Sequence, residues 1–217
     1  MGLLRKLFNR PKKAAAITKT NFVNPNPFPS DESFAAVKAH MQHVAQQNPE
    51  RYAALMRAAA FQIPMGWLET NFPPPNFEII VPGPFPCDMP LNVRPGLEGV
   101  EPEDTSVYIV KDSQGGIRCV QLVVWMGNPT GGDGEPREWI GTRAMKSAEE
   151  GLEELLRKMC GVGRLERCIA VVGMGMDMTI YCFEEGRGFF DPPEGFGFET
   201  QRVDWGDVPP PPPVGSK

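Results

Sequence analysis

The feature that most constrains this chain is the run Ile117–Met126, which is apolar on both faces. Val120, Leu122, Val124 and Met126 alternate along one side, and Cys119, Val123 and Trp125 along the other. Successive side chains of a strand point to opposite faces of its sheet. A strand with two apolar faces therefore sits in the centre of a sheet. Gln121 is the only polar side chain in its interior.

The neighbouring sequence supplies partners for that strand. Val107–Lys111 precedes it across DSQGG, whose Asp, Ser and two Gly are the turn chemistry of a β-hairpin. Cys168–Val172 and Met178–Phe183 form a second pair, bent at GMGMD. Between the pairs, Ser147-Ala148-Glu149-Glu150 has the form of a capping box and predicts a helix to about Met159. Leu152, Leu155, Leu156 and Met159 make its buried stripe. Glu153–Arg157 and Glu154–Lys158 stand at i,i+4 in the favourable order, and Gly161 and Gly163 stop the helix. Phe77–Val81 reads as a further short strand, and an edge strand is expected near 197–203.

Proline divides the rest. Residues 31–47 and 49–61 read as a helical pair, with Asn48-Pro49 as N-cap and first-turn proline. Ten prolines then fall between residues 62 and 104. They predict extended coil, because proline removes a backbone donor. Trp67, Phe72, Phe77, Phe85 and Leu91, interspersed there, predict a wrap pinned to the core. The expected organisation is a basic leader and linker over 1–30, one domain over 31–207 and a disordered proline-rich tail over 208–217. The expected fold is α+β: a mixed or antiparallel sheet of four to six strands, made of two hairpins and packed by one central helix. The helical pair is expected beside that helix or on the same face.

Charge narrows the partners. Residues 1–30 carry six bases and no acid, so the remainder carries a net charge of −11. An acidic body argues against a protein that coats nucleic acid and for a basic protein partner. The five cysteines include no CxxC, and Cys119, Cys168 and Cys182 lie inside apolar runs, as free buried thiols do. A reduced, cytoplasmic location is expected.

Motifs of known chemistry fail at specific positions. Gly173-Met174-Gly175-Met176-Asp177-Met178 follows a strand but has Met178 at the third glycine position and a strand after it, so a glycine-bent hairpin is expected. His40 and His43 stand i,i+3 on one helix with no further ligand at hand. Glu149, Glu150, Glu153 and Glu154 read as a solvated helix face. No catalytic set, metal site or cofactor is expected. Pro209 to Pro213 presets polyproline II, which aromatic grooves of partner modules can dock.

The order hairpin–helix–hairpin over about 104–185 resembles the core of restriction-endonuclease-like nucleases. That resemblance implies Asp104 or Asp112 as the first metal-binding acid. It also implies an acid and a lysine two apart on the next strand, where this chain reads IRCVQLVVWM and has neither. A copy of that fold without them is inactive. A divergent metal-dependent hydrolase using Asp104, Asp112 and Glu138 is the alternative enzymatic expectation.

The leading expectation is a non-enzymatic, regulatory or inhibitor-like binding protein. Its candidate contact residues are Phe189, Phe190, Phe196, Phe198 and Trp205, more aromatics than an acidic loop needs. A second surface is the basic amphipathic leader, Leu3, Leu4, Arg5, Lys6, Leu7 and Phe8, suited to a membrane surface. If the leader attaches the protein, deleting residues 1–20 abolishes co-sedimentation with anionic vesicles. Unchanged sedimentation removes that reading.

Overall fold

The computed structural model describes residues 31–83, 90–126, 137–163, 165–175 and 177–192. Among the described residues, three helices and a six-stranded mixed sheet make an α+β fold. The helices are α1 (Asp31–Gln47), α2 (Pro49–Asn71) and α3 (Arg137–Gly161). The strands are β1 (Phe77–Gly83), β2 (Thr105–Asp112), β3 (Ile117–Val124), β4 (Arg167–Met174), β5 (Asp177–Glu184) and β6 (Gly188–Phe190). They lie in the sheet in chain order. Every neighbouring pair is antiparallel except β3 and β4, which run parallel from Cys119↔Ile169 to Val124↔Met174. A parallel pair needs a long crossover, and α3 lies on that connection.

The two-faced apolar strands receive cover on both sides. One face presents Val107, Ile109, Val120, Leu122, Ala170 and Val172 to α3, which answers with Ala144, Ala148, Leu152, Leu155, Leu156 and Met159. The other presents Tyr108, Val110, Cys119, Val123, Ile169 and Val171 to Trp67, Leu68 and Phe72 of α2. The helical pair therefore lies on the face opposite α3, not beside it. A strand alternating two sets of apolar residues forces this result, because one helical layer leaves half of them in water.

Helix α2 also overruns its expected end. It continues through Pro64 to Asn71, where extended chain was expected. Proline inside a helix removes one hydrogen bond and costs about 3 kcal/mol. Here the ring is buried and has a seat. A Cβ on Gly173 of β4 would lie 3.5 Å from Pro64 Cγ and 3.6 Å from Val123 Cγ2. Gly173 and Val123 are partners across the parallel pair. A Cβ at Gly173 would just touch the proline, so the space over this part of the β3–β4 join has no room for a side chain longer than alanine's.

The helical pair is tied on at its other end by Trp125. This residue follows β3 and packs among Met41, Val44, Tyr52, Met56 and Ala60. Its N–H donates to the Asp104 carbonyl at 2.8 Å, and Arg57 of α2 reaches the Asp104 carboxylate at 2.8 Å and the Glu103 carbonyl at 3.0 Å. Asn48 caps α2 as its sequence suggests, accepting from the Arg51 N–H at 3.0 Å.

Residues 90–104 are a chain of tight turns, where extended coil was expected. The N–H groups of Arg94, Leu97, Val100 and Asp104 each donate to the carbonyl three residues earlier. Leu91, Leu97 and Val100 join the α3 side of the core. Ser147, expected as an N-cap, lies inside α3, which begins ten residues earlier at Arg137. Its hydroxyl instead donates to the Pro95 carbonyl at 2.6 Å. Burial of Ala144 and Ala148 outweighs the local capping preference. The 197–203 strand, the 208–217 tail and Cys87 lie outside the described residues.

The seat of Pro64 carries a specific test. Gly173→Ala is expected to be close to neutral, because its methyl meets Pro64 at ordinary contact distance. Gly173→Val is expected to cost about 1–3 kcal/mol by overpacking, measured by urea denaturation. Most of that cost should vanish in a Pro64→Ala background. Equal costs in both backgrounds refute the seat.

Candidate functional site

Two of the expected contact residues lie at one corner of the sheet. Glu185 to Arg187 turn the chain from β5 into β6, with Gly186 and Gly188 at φ +81°. That left-handed conformation favours glycine. β6 then pairs Gly188, Phe189 and Phe190 with Glu184, Phe183 and Cys182. Phe189 and Phe190 are both half-buried. Phe189 stacks on Tyr181 at 5.0 Å and meets Phe183 edge-on at 5.9 Å. Phe190 points to the other face, where the Arg187 guanidinium lies 3.8 Å above its ring.

Helix α3 holds this corner from one side. The Tyr181 hydroxyl donates to the Glu149 carboxylate. Burial, and after it the Glu149 carboxylate, push the Tyr181 pKa up, so the phenol stays protonated. A Cβ on Gly188 would fall 2.5 Å from Glu153 Oε1 and 3.3 Å from an Arg157 guanidinium nitrogen. The Glu153–Arg157 ion pair, 2.7 Å, therefore rests directly on the β6 backbone. Glu154 pairs with Lys158 at 2.8 Å and with Arg94 at 2.6 Å. Three of the four helix acids thus hold other elements or their own helix.

The acids weighed for metal chemistry are separated. Asp104 and Asp112 flank opposite ends of β2. Asp104 is bound to Arg57. Asp112 Oδ1 accepts from the Gln114 and Gly116 N–H groups at 2.9 and 2.8 Å, and its Oδ2 accepts from Arg118 at 2.8 Å. It shapes the β2–β3 turn. Burial opposes its charge, but the Gly116 N–H, Arg118 and the Gln114 N–H outweigh burial and hold its pKa below the ordinary value. The Glu138 side chain lies outside the described residues. His40 and His43 are both exposed on α1. Among the described residues, no group of three or more His, Cys, Asp or Glu is placed to hold a metal ion.

The thiols are placed for packing. Cys119, Cys160, Cys168 and Cys182 are free and buried. Burial pushes all four pKa values up, that of Cys160 to about 11. A thiol that stays protonated is a poor nucleophile. The GMGMD segment is the turn of the β4–β5 hairpin: Met174 pairs with Asp177, and Gly175 takes φ +59°.

Phe196, Phe198 and Trp205 lie outside the described residues, as do Leu3, Leu4, Arg5, Lys6, Leu7 and Phe8. Sequence reasoning found Phe189 and Phe190 by aromatic density. It missed Tyr181, Glu149 and Gly188, which the fold brings together. The signal present was EEGRG, two glycines flanking one residue after an apolar strand. No described helix is long and apolar enough to cross a membrane. Comparison with protein-family models, with curated proteins and with solved structures finds no match. The nuclease resemblance therefore rests on element order alone.

The carboxylates set the acid limit of the fold. Asp112 and Glu154 are both held below their ordinary values of 3.8 and 4.5. Their contribution is complete above those values and is lost as pH falls through the lower folded values. The urea midpoint is expected to drop on acidification below about pH 4.5. Asp112→Asn should flatten that drop. An unchanged acid limb in the variant refutes the assignment to Asp112.

Proposed function

We propose that this protein is a non-enzymatic binding module, regulatory or inhibitor-like, that engages a basic protein through its β5–β6 corner. The observation that carries the reading is the construction of β6. Among the described residues it is a three-residue edge strand, pressed against α3 at Gly188, with Phe190 half-exposed under Arg187. An edge strand presents backbone groups that a partner chain can pair, and aromatic residues are favoured anchors of interfaces.

Electrostatics favour a basic partner. The chain carries a net charge of −5 with an acidic body, and Glu166, Glu185 and Asp191 are exposed around this corner. Such a field accelerates encounter with a cationic surface and weakens with salt. The acids considered for catalysis, Asp104 and Asp112, serve the fold instead. The cysteine pattern supports a reducing, cytoplasmic setting.

Affinity purification of the full chain from its own host tests the proposal. One basic protein should co-purify in stoichiometric amount, dissociate as salt is raised and be lost with Phe190→Ala. That variant should keep the wild-type melting temperature to within a few degrees. No stoichiometric protein, or equal recovery by the variant, refutes the reading.

A further inference from the structure

Arg187 stands in the β5–β6 turn, exposed to solvent. Its backbone is fixed between Gly186 and Gly188, both at φ +81°, and its N–H donates to the Glu184 carbonyl at 3.1 Å. Its guanidinium lies 3.8 Å from the centre of the Phe190 ring, and its side chain makes no ion pair or hydrogen bond among the described residues. The neighbouring bases are neutralised. Arg167 pairs with Glu184 at 2.9 Å across β4 and β5, and Arg157 pairs with Glu153 at 2.7 Å on α3. Glu185 and Asp191 are exposed on either side of Arg187 in the chain, and neither is paired with it. A guanidinium carries five N–H donors in one plane. Resting on a single ring, this one keeps most of them free for an acceptor.

We propose that Arg187 is the specificity-determining residue of this corner, taking one Asp or Glu carboxylate from an otherwise basic chain laid along β6, with Phe190 as the residue that positions it. The inference rests on the binding reading above and names what that corner selects. The planar fork of a guanidinium matches a carboxylate with two parallel N–H···O bonds. Contact with the Phe190 ring holds the long side chain in place, so less freedom is lost when the carboxylate arrives. Around it, Glu185 and Asp191 attract bases. At Arg187 itself a base is repelled, which penalises every register that brings one there. The ligand is a carboxylate and not a phosphate, because a single guanidinium balances one charge and a second would face Glu185 and Asp191. Side chains of an added strand alternate, so the carboxylate belongs at one defined position among the bases.

The test uses the full chain and an immobilised array of short peptides that alternate Lys and Val, in which one Glu, or Gln in its place, is moved along the Lys positions. At one position the Glu peptide should bind about tenfold tighter than its Gln counterpart, the usual worth of a hydrogen bond to a charged group. Arg187→Gln should abolish that difference while still binding the array. Phe190→Leu keeps bulk without an aromatic face and should shrink the difference, whereas Phe190→Tyr should retain it. In the Arg187→Gln background, Phe190→Leu should have no difference left to remove. Binding of basic peptides with no preference between Glu and Gln, or a preference that survives in Arg187→Gln, overturns this proposal and leaves the binding reading standing. Failure to bind any peptide of the array overturns both.

Discussion

The Pro64 ring seated over Gly173 and Val123 is the contact on which this architecture turns. It lies on the join between β3 and β4, the one parallel pair among the described strands. On either side of that join the strands are local antiparallel neighbours that need little help to pair. Across it, α2 supplies a lid whose Trp67, Leu68 and Phe72 pack with residues of β2, β3, β4 and β5. A helix containing proline fits this path beside a strand position whose side chain can be no larger than a methyl. Each oddity explains the other: glycine weakens a strand, proline weakens a helix, and their apposition replaces what each lacks with buried contact.

The opposite face is built differently. There α3 brings a continuous leucine-rich stripe, and the turns of residues 90–104 close over it. Polar bonds fix the register of those turns. Ser147 donates to the Pro95 carbonyl, Arg94 reaches Glu154, and Gly96, at φ +80°, lets the chain pass where a Cβ would lie 3.0 Å from the Ala144 nitrogen. Arg94 is buried, and among the described residues its Nε has no hydrogen-bond partner, so its ion pair with Glu154 fixes the position of the turns. The same helix continues to the β5–β6 corner, where Glu149 and the Glu153–Arg157 pair press on Tyr181 and Gly188. One helix thus sets both the proline-rich turns and the candidate binding corner.

The sequence made the sheet legible and its cover much less so. The five longer strands appear where alternation and turn residues put them, because hairpin signals are local: Asp112 and Gly116 shape a turn within their own five residues. The start of α3, the run of α2 past Pro64 and the side of the sheet that α2 takes all depend on distant contacts. Ser147 and Pro95 are 52 positions apart, and Pro64 meets a residue more than a hundred positions away. Local rules gave Ser147 a cap and Pro64 a helix end, and burial overrode both. At the candidate site, aromatic density marked Phe189 and Phe190. The Tyr181–Glu149 bond spans 32 positions and leaves no local trace.

The single parallel join also divides the chain into two meanders, β1–β3 and β4–β6. Within each, strands pair with their chain neighbours, across tight turns at β2–β3, β4–β5 and β5–β6 and across the longer segment from Gly83 to Thr105 at β1–β2. The junction of the two halves closes the longest connection between paired strands, with α3 inside it, before its pairing rewards it. The cost of closing that loop falls on the parallel join, which α2 and α3 cover from opposite faces.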